Sequence, residues 1–186
     1  NSGTSDGSTL GWNMLALLDA AAAGTTIPAF VKPEFSDPGH AGPTHLNPFP
    51  TRTDIDGTFD YHPAVNTTPQ ASLPNMARSG IGLQALFYLG NVGEADPLVA
   101  AGRNAINLRW VNSSNLPGEY LATCGSATVN NKGCAYAMFN VFKGLKLHGI
   151  TSLPGVNCPL AAGCNPAKTG PVVTDWYAEY QDFLVS

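Results

Sequence analysis

Apolar positions fall at helical spacing in five stretches of the chain. In residues 9–23, Leu10, Met14, Leu17 and Leu18 form one stripe; Ser8 or Thr9 can cap the helix and Gly24 can end it. Residues 76–89 follow Asn75, a capping residue, and stop at Gly90; Ile81, Leu83, Ala85, Leu86 and Leu89 are apolar, and Gly80 and Gly82 thin the first half. Asp96-Pro97 is an N-cap followed by proline at the first helical position, which predicts a helix over 97–111. Its apolar face is Leu98, Ala101, Ala105 and Leu108, with Trp110 or Val111 at the end; Arg103, Asn104, Asn107 and Arg109 make a wet side.

The most apolar stretch is 134–148. From Ala135 to Phe142 only Asn140 is clearly polar, so this helix is expected to be buried on several sides and to organise the others. Lys143, Lys146 and His148 gather in its last turns, where positive charge suits the negative end of the helix dipole. On that reading His148 is a helix C-terminal cation, and Gly149 is the left-handed residue that stops the helix. The fifth helix starts at Thr174, as cap, and runs to the end. Trp176, Tyr180, Phe183 and Leu184 share its apolar face, with Asp175, Glu179 and Asp182 outside it.

Between the first two helices lies a long irregular segment, 25–74, whose prolines leave no room for a long helix. Elsewhere a buried helix is followed by an amphipathic one, twice: 76–89 with 97–111, and 134–148 with 174–185. That alternation predicts an all-α fold of about five helices, built as stacked helical hairpins in two layers with long irregular loops. The 186 residues suffice for one domain with a real core, so 1–186 is read as a single domain or a fragment of a larger one.

Composition narrows the function classes. Hydrophobic residues make up 44% and charged residues 12%, the latter about half the usual share. A net charge of -4 and few Lys and Arg argue against a nucleic-acid partner, which needs cations to meet phosphates. No apolar run reaches the roughly 18–20 residues needed to span a bilayer; the longest candidate, 14–23, is broken by Asp19. The chain opens Asn1-Ser2-Gly3 without methionine, the form expected of a processed or partial chain. Four cysteines allow three pairings. They fall as two close pairs, so disulfides Cys124–Cys134 and Cys158–Cys164 are expected, in an oxidising extracellular, periplasmic or cell-surface location. Asn66 and Asn112 head glycosylation sequons, Asn66-Thr67-Thr68 and Asn112-Ser113-Ser114.

The helices resemble those of the α/α-toroid group, the terpenoid cyclase and prenyltransferase-like superfamily. The likeness rests on Ser79-Gly80-Ile81-Gly82-Leu83-Gln84-Ala85-Leu86-Phe87-Tyr88-Leu89-Gly90, on Gly133-Cys134-Ala135-Tyr136-Ala137-Met138-Phe139-Asn140-Val141-Phe142, and on a third copy, Leu10-Gly11-Trp12-Asn13-Met14-Leu15. Glycine before a helix of small, aromatic and apolar residues recurs in those repeats. The resemblance implies a helical-hairpin barrel, of which this chain would form an arc or a piece. The family's catalytic signatures do not carry over. Cyclases of the group use Asp-x-Asp-Asp, where Asp54-Ile55-Asp56-Gly57 lacks the last acid. The thioester members use Cys-Gly-Glu-Gln, where Cys124-Gly125-Ser126-Ala127 lacks both the acid and the acyl-forming glutamine. The prenyltransferases' zinc set of Asp, Cys and His cannot be assigned here.

Three groups of residues are candidates for chemistry. Asp54, Asp56 and Asp60 alternate around Gly57, and hard Ca²⁺ wants several oxygens from one tight loop; an ordinary Asp-Gly turn is the plainer reading. His40 and His45, near Asp37, and His62, near Asp60, lack the converging three or four ligands of a zinc site and read as surface histidines. The aromatics Tyr136, Phe139, Phe142, Trp176 and Tyr180 could line a concave pocket, although core packing explains them more simply. No nucleophile elbow, phosphate loop or metalloprotease motif is present. The expectation is therefore a secreted or cell-surface module without catalytic function. Its helical arc would be completed by other copies of itself or by another polypeptide. The alternative is a toroid enzyme acting on a polyprenyl or polysaccharide substrate.

Overall fold

The computed structural model describes residues 7–36, 76–110, 135–154 and 173–185. These segments hold six helices: α1 (Gly7–Ala22), α2 (Val31–Ser36), α3 (Met76–Leu89), α4 (Pro97–Arg109), α5 (Ala135–Leu147) and α6 (Trp176–Val185). The fold is all-α. Among the described residues the only extended pairing is one antiparallel bridge, in which Leu153 and Thr174 exchange two 2.9 Å backbone bonds.

Three helices stop as their glycines require. Gly24, Gly90 and Gly149 have φ of 83°, 101° and 68°. In each case the next residue bonds back to the carbonyl five positions earlier: Thr25 to Ala20, Asn91 to Leu86 and Ile150 to Leu145. This left-handed stop satisfies carbonyls the helix cannot. In α5 it also folds buried Ile150 back over buried Leu145. At the other end of the helix type, Asp96 caps α4 by accepting from Leu98 (2.9 Å) and Val99 (3.3 Å), with Pro97 at the first helical position.

The helix that organises the core is α3 rather than α5. It touches α1, α2, α4 and α5, and every residue from Ser79 to Leu86 is buried. The closest pairing is α3 with α5, set by Gly80 and Gly144. A Cβ on Gly80 would lie 2.4 Å from the carbonyl carbon of Asn140, and one on Gly144 would lie 2.6 Å from the carbonyl oxygen of Gly80. The two backbones therefore meet with no side chain between them. Helix α5, expected to be enclosed on several sides, buries one face (Ala137, Met138, Val141, Leu145) and leaves Phe139 and Lys146 exposed. Few polar residues did not mean few solvent contacts, because solvent faces its aromatic side.

The remaining differences have local causes. The segment expected to be irregular contains α2, a six-residue helix; its Pro33 sits in the first turn, where no intrahelical N–H is needed. Helix α4 ends two residues early, at Arg109, with Trp110 extended. Asn107, assigned to its wet side, is fully buried. The last turn of α4 is enclosed from a second side by α6, where Trp110 stacks on Tyr180 at 5.2 Å and donates to Glu179 at 2.7 Å. Helix α6 is capped by Asp175, which accepts from Ala178 at 2.9 Å, rather than by Thr174, whose backbone is committed to the bridge with Leu153.

Met14, Leu83, Leu86, Ile106, Trp110, Leu145 and Trp176 are the centre of the core. Helix α3 lies between α1 and α5, while α4 and α6 meet through Trp110 and Tyr180. No described helix is long and apolar enough to cross a membrane.

Candidate functional site

Between α5 and α6 runs an apolar groove of about 590 Å³. Its α5 wall is Ala135, Met138, Phe139 and Phe142; its α6 wall is Tyr177, Tyr180, Gln181, Leu184 and Val185. Met138 and Tyr180 are buried and form its floor, while Phe139, Tyr177, Leu184 and Val185 stand at its rim. Leu184 and Val185 are 73% and 85% exposed, too much for side chains that belong to a finished core. One shared cluster of rings holds the walls in place. Phe142 lies 6.0 Å from Trp176 and 6.1 Å from Tyr177, and Trp176 packs edge-on to Tyr180 at 6.0 Å. Trp176 is itself pinned by its indole N–H, which donates to Ile150 at 3.0 Å. On the outer side of α5, Phe139 stacks on Trp12 of α1 at 6.0 Å and carries the Lys143 ammonium 5.9 Å above its ring.

The polar side-chain groups among the groove's nine lining residues are the Gln181 amide and the hydroxyls of Tyr177 and Tyr180, and none of the nine is Asp, Glu, Lys or Arg. Such a surface binds chiefly by removing apolar area from water. Of the aromatics singled out in the sequence, Phe139, Phe142 and Tyr180 line the groove, whereas Trp176 is core and Tyr136 lies outside the lining. Sequence pattern missed Val185, and it placed Leu184 with Trp176 and Tyr180 on one face. Leu184 follows Tyr180 by one turn, but the core ends before reaching it.

Two buried polar centres flank α3. Gln84 donates through Nε2 to the carbonyls of Gly80 (3.3 Å) and Asn140 (3.2 Å) and to Oδ1 of Asn140 (3.2 Å), while Asn140 donates to the Tyr136 carbonyl at 2.9 Å. This network ties α3 to α5 at their closest approach. The second centre is His148. Its ring is buried, Nε2 lies 2.7 Å from the Leu83 carbonyl, and Nδ1 accepts the Gly93 N–H at 3.3 Å. That pair of partners fixes a neutral imidazole with its hydrogen on Nε2. Burial holds its pKa below the usual histidine value, with the Leu83 bond and nearby Asp96 acting in the opposite direction. His148 is thus a neutral clamp between α3, α5 and the turn into α4, not the helix C-terminal cation expected from its position.

Among the described residues no three His, Cys, Asp or Glu side chains converge to hold a metal ion. Asp54, Asp56 and Asp60, the histidines at 40, 45 and 62, the four cysteines and the sequon asparagines Asn66 and Asn112 lie outside the described residues. Comparison of the chain with protein-family models, with curated proteins and with solved structures returned no match.

Proposed function

We propose that the chain is a non-catalytic module, working outside the cytoplasm, that assembles with a second polypeptide through the α5–α6 groove. The carrying observation is the groove itself: a wall of exposed Phe139, Tyr177, Leu184 and Val185 around a buried aromatic floor, without a charge in it. Exposed apolar surface of this kind marks an interaction site. A second copy of the chain is the partner this reading takes first. Expected disulfides Cys124–Cys134 and Cys158–Cys164 suit an oxidising compartment and would each add about 2–3 kcal/mol in the chain-entropy model. The arrangement of α3 between α1 and α5, with α4 meeting α6, supports reading the helices as part of a toroid-like arc.

A toroid enzyme acting on a polyprenyl chain is the second reading, favoured by the same aromatic lining. It would need an acid at the groove, and the nine lining residues provide none. Light scattering on the eluting protein separates the two. The assembly reading predicts a mass that is a multiple of 19.4 kDa, and a return to 19.4 kDa on Leu184→Asp. A wild-type monomer at micromolar concentration that turns over a polyprenyl diphosphate would reverse the choice.

A further inference from the structure

His148 occupies a position in which a single proton changes what the backbone around it can do. The ring sits at the C-terminal end of α5. Its Nε2–H donates to Leu83 in the middle of α3, and its Nδ1 receives the N–H of Gly93, in the turn that joins α3 to α4. That turn is short and fully committed. The Asp96 N–H bonds to the Gly93 carbonyl at 3.2 Å, Asn91 donates to one carboxylate oxygen of Asp96 at 2.7 Å, and the other carboxylate oxygen caps α4. Gly93 has a φ of 77°, so the N–H that reaches the ring depends on a conformation few other residues adopt. One chain of contacts therefore runs from the imidazole through Gly93 and Asp96 to the start of α4.

We propose that His148 is a proton-operated latch on the α3–α4 turn: neutral, it holds the Gly93 amide; protonated, it presents a second N–H to that amide and the turn lets go. The imidazolium has two donors and no acceptor, so the Gly93 bond cannot survive protonation in place. From α3 the ring meets the Leu83 carbonyl, already in use, and the edge of Phe87 at 5.7 Å. From the turn and α4 it meets Asp96, whose negative charge favours the imidazolium but supplies no acceptor for the Gly93 amide. Glu94 in the same turn is paired with Arg103, and Lys146, two positions before the ring, is exposed. Among the described residues, then, Asp96 is the charge that acts on the ring, and the turn carrying it is the part that moves. The consequence is a segment, 91–96, whose closure is at full strength above the ordinary histidine pKa and weakens progressively as pH falls below it, loosening the N-terminus of α4.

Amide hydrogen exchange on the intact chain tests this, with rates converted to protection factors so that the intrinsic pH dependence cancels. The protection of Gly93 and Asp96 should fall by up to about tenfold for each pH unit below about 6.5, while that of Leu145 in the α5 core holds. His148→Gln, which keeps one donor and one acceptor but does not titrate, should show pH-independent protection of the turn. Unchanged wild-type protection between pH 7 and 5 would overturn the proposal, as would the same slope in H148Q. If H148Q does not fold, the wild-type imidazole resonance decides. The His148 ring and the Gly93 amide should titrate with one midpoint, below the usual histidine value, and separate midpoints would refute the latch.

Discussion

His148 and Asp96 make opposite kinds of ionisable group contribute to stability in the same direction. The folded state holds His148 neutral and lowers its affinity for a proton, so the unfolded chain binds more protons there. Its contribution is complete above the unfolded pKa of about 6.5 and is lost as pH falls below that value. Asp96 is held below its ordinary pKa by the Asn91 hydrogen bond first, and by the Leu98 and Val99 amides it caps. Its contribution is present above about pH 4 and is lost on further acidification. Urea midpoints measured from pH 8 to pH 3 should therefore decline in two stages, and H148Q should lack the upper one. Gln84 and Asn140 provide a second test at this scale. Asn140→Ala removes one acceptor and one donor from a buried network and should destabilise the fold by about 1–3 kcal/mol. Replacing both partners, as Gln84→Met with Asn140→Leu, should cost less than the sum of the two single changes, a difference that a double-mutant cycle in urea measures.

Helix ends and helix contacts carry the next set of expectations. Asp96→Ala leaves the Leu98 and Val99 amides uncapped, for a cost of about 0.5–2 kcal/mol, visible as a lower thermal midpoint. Gly80→Ala would gain about 1 kcal/mol in an isolated helix. Here the new Cβ meets the Asn140 carbonyl carbon at 2.4 Å, and backbone cannot swing aside as a side chain can. The substitution should instead destabilise the fold by about 1–3 kcal/mol through forced separation of α3 and α5. Calorimetry of the two variants checks the signs. Five of the helices were legible in sequence to within two residues at each end, with α3 matched at both ends, because capping residues and terminal glycines act over one turn of chain. Helix α2 was not, since six residues between prolines have too little periodicity to register. The capping of α6 by Asp175 depended on a bridge to Leu153, which no local pattern reports.

At the scale of the whole molecule, the α5–α6 groove is an apolar surface left exposed among the described residues. Leu184, Val185, Tyr177 and Phe139 remain in water although each would gain from burial. A partner that covers them and their surroundings should bury well above about 1,000 Å² in total. A dye that fluoresces on apolar surfaces should bind dilute monomer and be displaced as concentration raises the assembled fraction. Leu184→Asp should weaken that assembly without lowering the folding stability of the monomer by more than about 0.5 kcal/mol, since the residue is mostly solvated.

Sequence by itself determined the class of the fold, the positions of the long helices and the glycines that end them, because helical periodicity and capping are local properties of the backbone. It also named three of the groove's four aromatics, Phe139, Phe142 and Tyr180, but not Tyr177. Tertiary structure decided which helix lies at the centre, and it chose α3, since two glycines on facing helices matter only once the helices meet. It buried Asn107, and it decided that Asn140 and His148 would be buried, because distant elements supply partners for both: Gln84 for the first, Leu83 and Gly93 for the second. The same lone pair on His148 that would have been protonated at a free helix end is occupied by Gly93, fifty-five positions away in the chain.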